Sequence, residues 1–222
     1  MPTPMLLCEL DHLVITASTL QAGSEYLHRA LGVTPQAGGE HARMGTHNCL
    51  VKLGETTYLE GIAANPDAPR PERPRWFELD ALEANSLPRL ATWVLRVSDI
   101  EAALASSPVP LGRIEALSRG QLHWRITIPA DGSLPLQGVA PTLIQWEPGP
   151  HPARRLAEAG CSLLQLEGFH PEAQTITAML KALGFEGTFS ISPLAAHEKP
   201  LLVATFQTPG GVRKVGGIGS VV

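Results

Sequence analysis

The sequence predicts an α+β protein built from repeated β-α-β-β-β modules with mixed, curved sheets. Alternating apolar and polar segments, typical of half-buried strands, begin near residues 10, 90 and 161. Each is followed by a short stretch with helical spacing and then by further strand-like segments. Strand and helix alternation alone would also suit a parallel α/β fold. The consecutive strands after each helix instead require hairpins, and therefore a mixed sheet.

The first predicted module covers residues 8–64. Residues 10–17 alternate as a strand, Ser18 or Thr19 can cap the helix that follows, and Gly32 stands where a left-handed C-terminal residue belongs. Three more strands are predicted at 33–43, 46–53 and 56–63.

A proline-rich stretch, 65–89, separates this module from the next. Four prolines fall within residues 65–75, which favours an extended linker, although an ordered arm across the surface has the same composition. The second module, 90–150, opens with a strand at 90–97 and a short helix capped by Ser98 or Asp99. Its remaining strands are predicted at 111–117, 121–128 and 141–147.

A third β-α-β-β-β-like module is predicted at 160–216. Pro171 suits the first turn of its helix and Gly184 the end. If the first two modules satisfy each other, the third keeps an open apolar face, which monomers rarely expose. We therefore expect it to pack against a second copy in a homodimer, or alternatively against its own chain. The apolar residues of its strands are Leu164, Leu166, Leu202, Val203 and Phe206.

Composition excludes several classes of function. The formal net charge of −4 gives no electrostatic footprint for nucleic acid or for an anionic membrane. No apolar stretch approaches the ~20 residues that cross a bilayer. The first four residues lack the basic start and apolar core of a signal peptide. Three scattered cysteines, Cys8, Cys49 and Cys161, without a CxxC spacing fit small buried side chains in a reducing cytoplasm.

Several spaced motifs, in order over roughly residues 8–190, resemble the glyoxalase-like domain family of the vicinal-oxygen-chelate superfamily. In the first module they are Leu10-Asp11-His12-Leu13-Val14-Ile15, Gly45-Thr46-His47-Asn48 and Tyr58-Leu59-Glu60. In the second they are Leu90-Ala91-Thr92-Trp93-Val94, Ser118-Arg119-Gly120 with Leu122-His123-Trp124-Arg125, and Pro141-Thr142-Leu143-Ile144-Gln145-Trp146. The resemblance implies the superfamily's fold, in which two modules form one cup.

The resemblance also implies where metal ligands would lie. In metal-dependent relatives, the opening and closing strands of two paired modules supply two ligands each. His12 and Glu60 match these positions in the first module, whereas the second has Thr92 and Gln145 there. Thr92 is a poor ligand for zinc or nickel, and Gln145 offers only a neutral carbonyl. We therefore expect weak binding of a divalent metal (zinc, nickel, iron or manganese) or, preferentially, none.

Other residues are candidates for contact with a ligand. Only one of His47 and Asn48 can face the cup, and Asn48 is the candidate that can bond a substrate oxygen. Trp124 is predicted to form a pocket wall, whereas Trp93 and Trp146 are predicted to be core. Arg119, in the family's Ser-Arg motif, can pair with a carboxylate. Thr92 completes the predicted binding set, and His41 is predicted to lie at an edge or on the surface.

Two functional hypotheses follow and stay open at this stage. In the first, the protein is a lyase, isomerase or dioxygenase that uses His12, Glu60 and Gln145 around a metal, or a buried Glu60 beside His12 without one. In the second, it is a metal-free module that binds or sequesters a small molecule in the same cup. His12 and Glu60 would then be a hydrogen-bonded pair without catalytic activity.

Overall fold

A computed structural model describes residues 7–216 and 220–221 of the chain, as two sheets and three α-helices. The first four residues, on which the expectation about a signal peptide rests, lie outside the described part. The helices are α1 (Leu20–Leu31), α2 (Ile100–Ser106) and α3 (Ala173–Ala182). Thr19 caps α1 by accepting from the Ala22 backbone N–H, and Gly32 ends it with a φ of 71°. Among the described residues, no helix has the length and apolar character to cross a membrane.

The larger sheet has eight strands and two halves of matching order. The first half holds β1 (Cys8–Thr16), β2 (Gln36–His41), β3 (Thr46–Lys52) and β4 (Tyr58–Ala64). The second holds β5 (Arg89–Val97), β6 (Arg113–Arg119), β7 (Leu122–Ile128) and β8 (Thr142–Trp146). Their spatial order is β2-β3-β4-β1-β5-β8-β7-β6, with β1 and β5 antiparallel at the centre. In each half the last strand runs parallel to the first, so the predicted mixed sheet and α+β fold are confirmed.

The centre of this sheet defines which residues of the two halves correspond. Leu13 lies opposite Trp93, and the flanking pairs are His12 with Val94 and Val14 with Thr92. A local two-fold through the Leu13–Trp93 pair therefore relates His12 to Thr92.

The third unit has the predicted element order but a different topology. Its strands are β9 (Ser162–His170), β10 (Phe189–Pro193), β11 (Leu201–Thr208) and β12 (Gly211–Gly216), followed by β13 (Ser220–Val221). They form a separate sheet in the order β10-β9-β11-β12-β13. Here the strand directly after the helix, β10, runs parallel to β9, whereas in the first unit the final strand does so. The third unit is thus not a topological copy of the other two.

The smaller sheet packs on the helix-bearing face of the larger one within the same chain. Trp93 of β5 stacks on Phe189 at a ring-centroid distance of 4.5 Å, and its Nε1 donates to the Val139 carbonyl. Leu166, Leu202 and Phe206 are buried in the same core as Leu13. Each such side chain stabilises the contact by ~1.5–3 kcal/mol. The apolar face that motivated the expected homodimer is therefore covered within the chain, so a homodimer needs another contact surface.

The proline-rich stretch is an ordered arm. It contains a 3-10 turn at Leu79–Ala81, and it buries Trp76, Phe77 and Leu79 against the concave face of the larger sheet. Arg75 fixes its course, since the guanidinium donates to the Gly45 carbonyl at 3.1 Å and to Asp80 at 2.6 Å.

Candidate functional site

The concave face of the larger sheet encloses one small polar cavity of about 30 Å³. Such a volume holds roughly one water molecule. Its walls come from β1, β2, β3, β4, β6, β7, β8 and the ordered arm. The lining residues are His12, His41, Asn48, Tyr58, Glu60, Trp76, Phe77, Arg119, Trp124, Ile126, Ile144 and Trp146.

Asp11, fully buried behind the cavity, orients His12. Its Oδ1 lies 2.7 Å from His12 Nδ1, and its Oδ2 accepts from Trp146 Nε1 and from His151 Nε2, both at 2.9 Å. Burial raises the pKa of Asp11, but the hydrogen bonds from His12 and His151 outweigh it and hold that pKa well below its usual range. The ionised Asp11 accepts from His12 Nδ1–H, so His12 presents Nε2 to the cavity.

Glu60 is the buried carboxylate inside the cavity. Its Oε1 accepts from Asn48 Nδ2 at 2.5 Å, and its Oε2 lies 3.6 Å from His12 Nε2. The His12 ring stacks on Tyr58 at 4.5 Å with an interplanar angle of 11°. Burial, and then the charges of Asp11 and Glu60, raise the pKa of Tyr58 well above its usual value. Tyr58 therefore stays protonated beside the two carboxylates.

His41 and Arg119 form a second polar pair on the cavity wall. Arg119 Nη1 donates to His41 Nε2 and to Asn48 Oδ1, each at 3.3 Å, and His41 Nδ1 lies 3.1 Å from Thr46 Oγ1. Burial, followed by the positive charge of Arg119, lowers the pKa of His41 to about 3. His41 is thus a neutral, buried residue at the end of the edge strand β2, so the predicted edge position is confirmed and the surface alternative is wrong.

Two glycines of β2 make room for this arrangement. A Cβ on Gly38 would lie 2.0 Å from Asn48 Oδ1, and one on Gly39 would lie 2.9 Å from Arg119 Cδ. The Gly39 backbone N–H also donates to Asn48 Oδ1 at 2.8 Å. The Asn48 amide therefore has one orientation, with its oxygen toward β2 and its nitrogen toward Glu60.

Trp76 and Phe77 of the arm close the cavity as a stacked pair, with ring centroids 5.2 Å apart. Phe77 and Glu78 both have positive φ, 58° and 56°, which costs non-glycine residues roughly 1–2 kcal/mol each. Glu78 is held by the Gly132 carbonyl, which accepts from its backbone N–H at 2.9 Å, and by Arg89 at 3.0 Å. Trp76 Nε1 is buried without a hydrogen-bond partner among the described groups.

The second half of the cup departs from its predicted role. Thr92 is fully buried, and its Oγ1 contacts only the Trp93 carbonyl, at 3.4 Å, without lining the cavity. Glu60 lies beside Val14, and the matching pair in the second half is Thr142 beside Val94. Thr142, rather than Gln145, therefore corresponds to Glu60.

Gln145 is turned away from the cup, which corrects the prediction that it points inward. Its Oε1 accepts from the Ile100 backbone N–H at 2.9 Å and from Arg125 at 2.7 Å, and its Nε2 donates to the Ser98 carbonyl. It thus satisfies the first turn of α2 on the helix-bearing face. Trp146, predicted to be core, faces the cavity instead. The prediction was wrong by one residue along β8, and such a shift exchanges the two faces of a strand.

The structure brings most of the other candidates together. His12, Glu60, Asn48, Arg119 and Trp124 all line the cavity. Sequence reasoning missed Asp11, His41, Trp146 and the two aromatic residues of the arm as parts of the site. The signals available for them were the charged residue inside an otherwise apolar strand and the pair Trp76-Phe77 after a proline run.

The donor set does not fit the metal site that the superfamily implies. The first half offers His12 and Glu60, whereas the corresponding positions of the second half hold the hydroxyl side chains of Thr92 and Thr142. Within the described residues, no group of three or more His, Cys, Asp or Glu side chains has an arrangement suited to a metal ion. Divalent transition metals prefer imidazole, thiolate and carboxylate ligands.

Comparison with known proteins identifies the class. A family described as a glyoxalase-like domain matches residues 10–184, which is most of the chain. The protein belongs to this glyoxalase-like domain family of the vicinal-oxygen-chelate superfamily. A search among curated proteins gave no match.

Three solved structures are similar to the chain at low sequence identity. A hypothetical protein from Staphylococcus aureus has a TM-score of 0.55 at 15% identity, over 97% of this chain and 88% of that one. A methylmalonyl-CoA epimerase from Mycobacterium tuberculosis has a TM-score of 0.41 at 21% identity, over 64% and 88%. A Streptomyces coelicolor methylmalonyl-CoA epimerase variant with 2-nitronate-propionyl-CoA has a TM-score of 0.40 at 16% identity, over 62% and 94%. The match to the Staphylococcus aureus protein indicates a common fold, and at 15% identity it does not indicate a common reaction.

Proposed function

We propose that the cup binds a small carbonyl compound and that Glu60 moves a proton on it, as in an isomerase or a lyase. The observation that carries the proposal is the arrangement of Glu60. Its Oε1 is held by Asn48, and its Oε2 faces the Nε2 of an imidazole that Asp11 orients. A positioned carboxylate in a water-poor cavity is the arrangement that general-base catalysis requires.

The reaction follows from these positions. Glu60 takes a proton from the carbon next to the substrate carbonyl, and the electron pair of that C–H bond moves onto the carbonyl oxygen to give an enolate. Arg119, whose guanidinium already lies at the cavity wall, stabilises the enolate oxygen. In an isomerase, Glu60 then returns the proton to the same or a neighbouring carbon. In a lyase, the enolate instead re-forms the carbonyl and expels a group from the next carbon, and that group takes the proton from Glu60. Since the donor set does not fit a metal, no step in this proposal uses one.

Metal-free binding without catalysis is the second candidate, and the small volume of the cavity supports it. Trp76 and Phe77 occupy the space that a ligand of several atoms needs, and both Glu60 oxygens already face polar partners. A ligand would then exchange with the aromatic pair and leave unchanged.

Deuterium exchange tests the proposal. The full chain is incubated in D2O with small 2-oxo acids, α-hydroxy ketones and 1,3-dicarbonyl compounds, and loss of the C–H signal is followed by NMR. We expect exchange that Glu60→Gln reduces by about 10²–10⁴-fold. Glu186→Gln, an exposed matched change in the third unit, keeps the wild-type rate. Binding of a compound with exchange rates equal in both variants would favour the binding module.

Location and assembly belong to the same proposal. We propose a cytoplasmic protein, which the three buried, unpaired cysteines support. We also keep the homodimer as a proposal, now through the outer face of the smaller sheet, where Leu164 is exposed. Light scattering that gives the mass of one chain would exclude the dimer.

A further inference from the structure

Another pocket, of about 350 Å³, lies beside Glu78, between the start of β5 and the start of β11 in the smaller sheet. Its size falls within the range of small-molecule sites. The walls include Leu90, Leu202, Glu78, Arg89, Gln137 and Lys199. We call it the rear pocket. It is separate from the cup, whose lining shares none of these residues.

Backbone strain converges on the rear pocket. Four non-glycine residues of the described chain have positive φ: Phe77, Glu78, Leu136 and Gln137. Glu78 and Gln137 line the rear pocket, and each directly follows one of the other two. Strained conformations of this kind persist where the surroundings enforce them, and they cluster at binding sites and switches. This observation is independent of the pocket's volume.

The chemistry of the walls defines a ligand class. Leu90 and Leu202 are buried and form an apolar floor, while Arg89 and Lys199 place two positive charges at the rim. Arg89 is partly exposed and pairs with Glu78 at 3.0 Å. Lys199 is exposed and makes no ion pair within the described chain. The rim therefore keeps an excess of one positive charge over an apolar interior.

We propose that the rear pocket binds an apolar monocarboxylate, whose carboxylate replaces Glu78 on Arg89 while its hydrocarbon part lies on Leu90 and Leu202. A planar guanidinium with a carboxylate partner already in place is suited to such an exchange. The site itself does not depend on the reaction proposed for the cup.

Calorimetry of the full chain with hexanoate tests the site. We expect saturable binding of one hexanoate, and 1-hexanol, which lacks the charge, to bind at least about tenfold more weakly. Lys199→Ala should weaken hexanoate binding about threefold to tenfold, while Lys181→Ala, an exposed lysine elsewhere in the third unit, leaves it unchanged. Absence of saturable binding, or equal affinity for hexanol, would overturn the proposal.

Two further variants separate the rear pocket from the cup. Glu78→Gln removes the competitor for Arg89, so hexanoate should bind more tightly; unchanged or weaker binding contradicts the exchange. Glu60→Gln should leave hexanoate affinity unchanged, because Glu60 lies in the cup. Loss of hexanoate binding in Glu60→Gln would place the ligand in the cup and overturn the rear pocket. Failure to observe proton exchange in the cup has no bearing on these affinities.

Discussion

The two halves of the eight-stranded sheet share strand order and central register, yet their cavity faces carry different chemistry. The first half presents an imidazole and a carboxylate, His12 and Glu60, with Asp11 behind them. At the positions that correspond to His12 and Glu60, the second half has Thr92 and Thr142. Its cavity-facing residues are mostly apolar or aromatic, such as Trp124, Ile126 and Trp146.

This difference indicates a division of roles within one symmetric scaffold. The register of β1 against β5 depends on apolar residues such as Leu13 and Trp93, so the site residues of one half can change without loss of the sheet. The first half then carries the imidazole and the carboxylates, and the second, apart from Arg119, lines the cavity mainly with apolar and aromatic side chains. Fold and site are thus separable properties of the sequence.

The largest effect on stability is expected at Asp11. Three N–H groups, from His12, Trp146 and His151, donate to the two oxygens of Asp11. In Asp11→Asn only one oxygen remains to accept them, and the charge is lost. Breaking a buried charged network costs about 3–5 kcal/mol of unfolding free energy. Urea denaturation measures the loss, with Asp67→Asn, an exposed residue, as the control near zero. A loss below about 1 kcal/mol for Asp11→Asn would show that the first half does not depend on this charge.

The pH dependence of stability tests the neutral state of His41. Its pKa falls from 6.5 to about 3 on folding, so the unfolded chain binds the proton more tightly. The contribution of neutral His41 to the free energy of unfolding is fully present above pH 6.5. It is lost as the pH falls toward about 3, by at most about 1.4 kcal/mol per pH unit. Arg119, His12 and His47 are the charged or titratable neighbours that favour the neutral form.

His41→Gln should flatten this dependence between about pH 6.5 and 4.5, as followed by urea denaturation at each pH. The lowered pKa of Asp11 acts in the same direction only below its usual value of 3.8, so it does not contribute between about pH 6.5 and 4.5. An equally steep loss in His41→Gln would assign the dependence to another group.

Sequence alone predicted the fold better than the site, for a physical reason. Apolar periodicity located the strands, because it reports which residues of a segment are buried. Which side chains of β8 face the cavity depends on the register with the neighbouring strands, which the sequence of β8 alone does not define. The predicted orientations of Gln145 and Trp146 were therefore the reverse of those observed. The topology of the smaller sheet and the course of Trp76 and Phe77 depend on contacts distant in sequence, which local patterns do not record.

A smaller effect is expected where a single methyl group would displace Asn48. Gly38→Ala places a Cβ 2.0 Å from Asn48 Oδ1, so the amide must leave its position between β2 and Glu60. Overpacking of this kind costs about 1–3 kcal/mol. Gly54→Ala is the matched control, since its Cβ would meet nothing closer than 3.9 Å. Equal melting temperatures for the two variants would mean that Asn48 is not fixed as described.

The smallest effects belong to the second half. Thr92→Val and Thr142→Val remove hydroxyls from buried positions, and the only bond of Thr92 is the long contact with the Trp93 carbonyl. We expect changes within about 1 kcal/mol for each, measured by thermal unfolding. A loss as large as that of Asp11→Asn would break the division of roles between the halves.

Elemental analysis after dialysis without chelator decides whether the metal-ligating side chains of the cup are confined to the first half. The full chain is loaded with zinc, nickel, manganese or iron beforehand, in parallel with the double variant Thr92→His, Thr142→Glu. We predict no stoichiometric metal in the wild type. We predict bound metal in the double variant, because its two substitutions complete a set of four ligands. Stoichiometric metal in the wild type that is lost in His12→Ala would contradict this account.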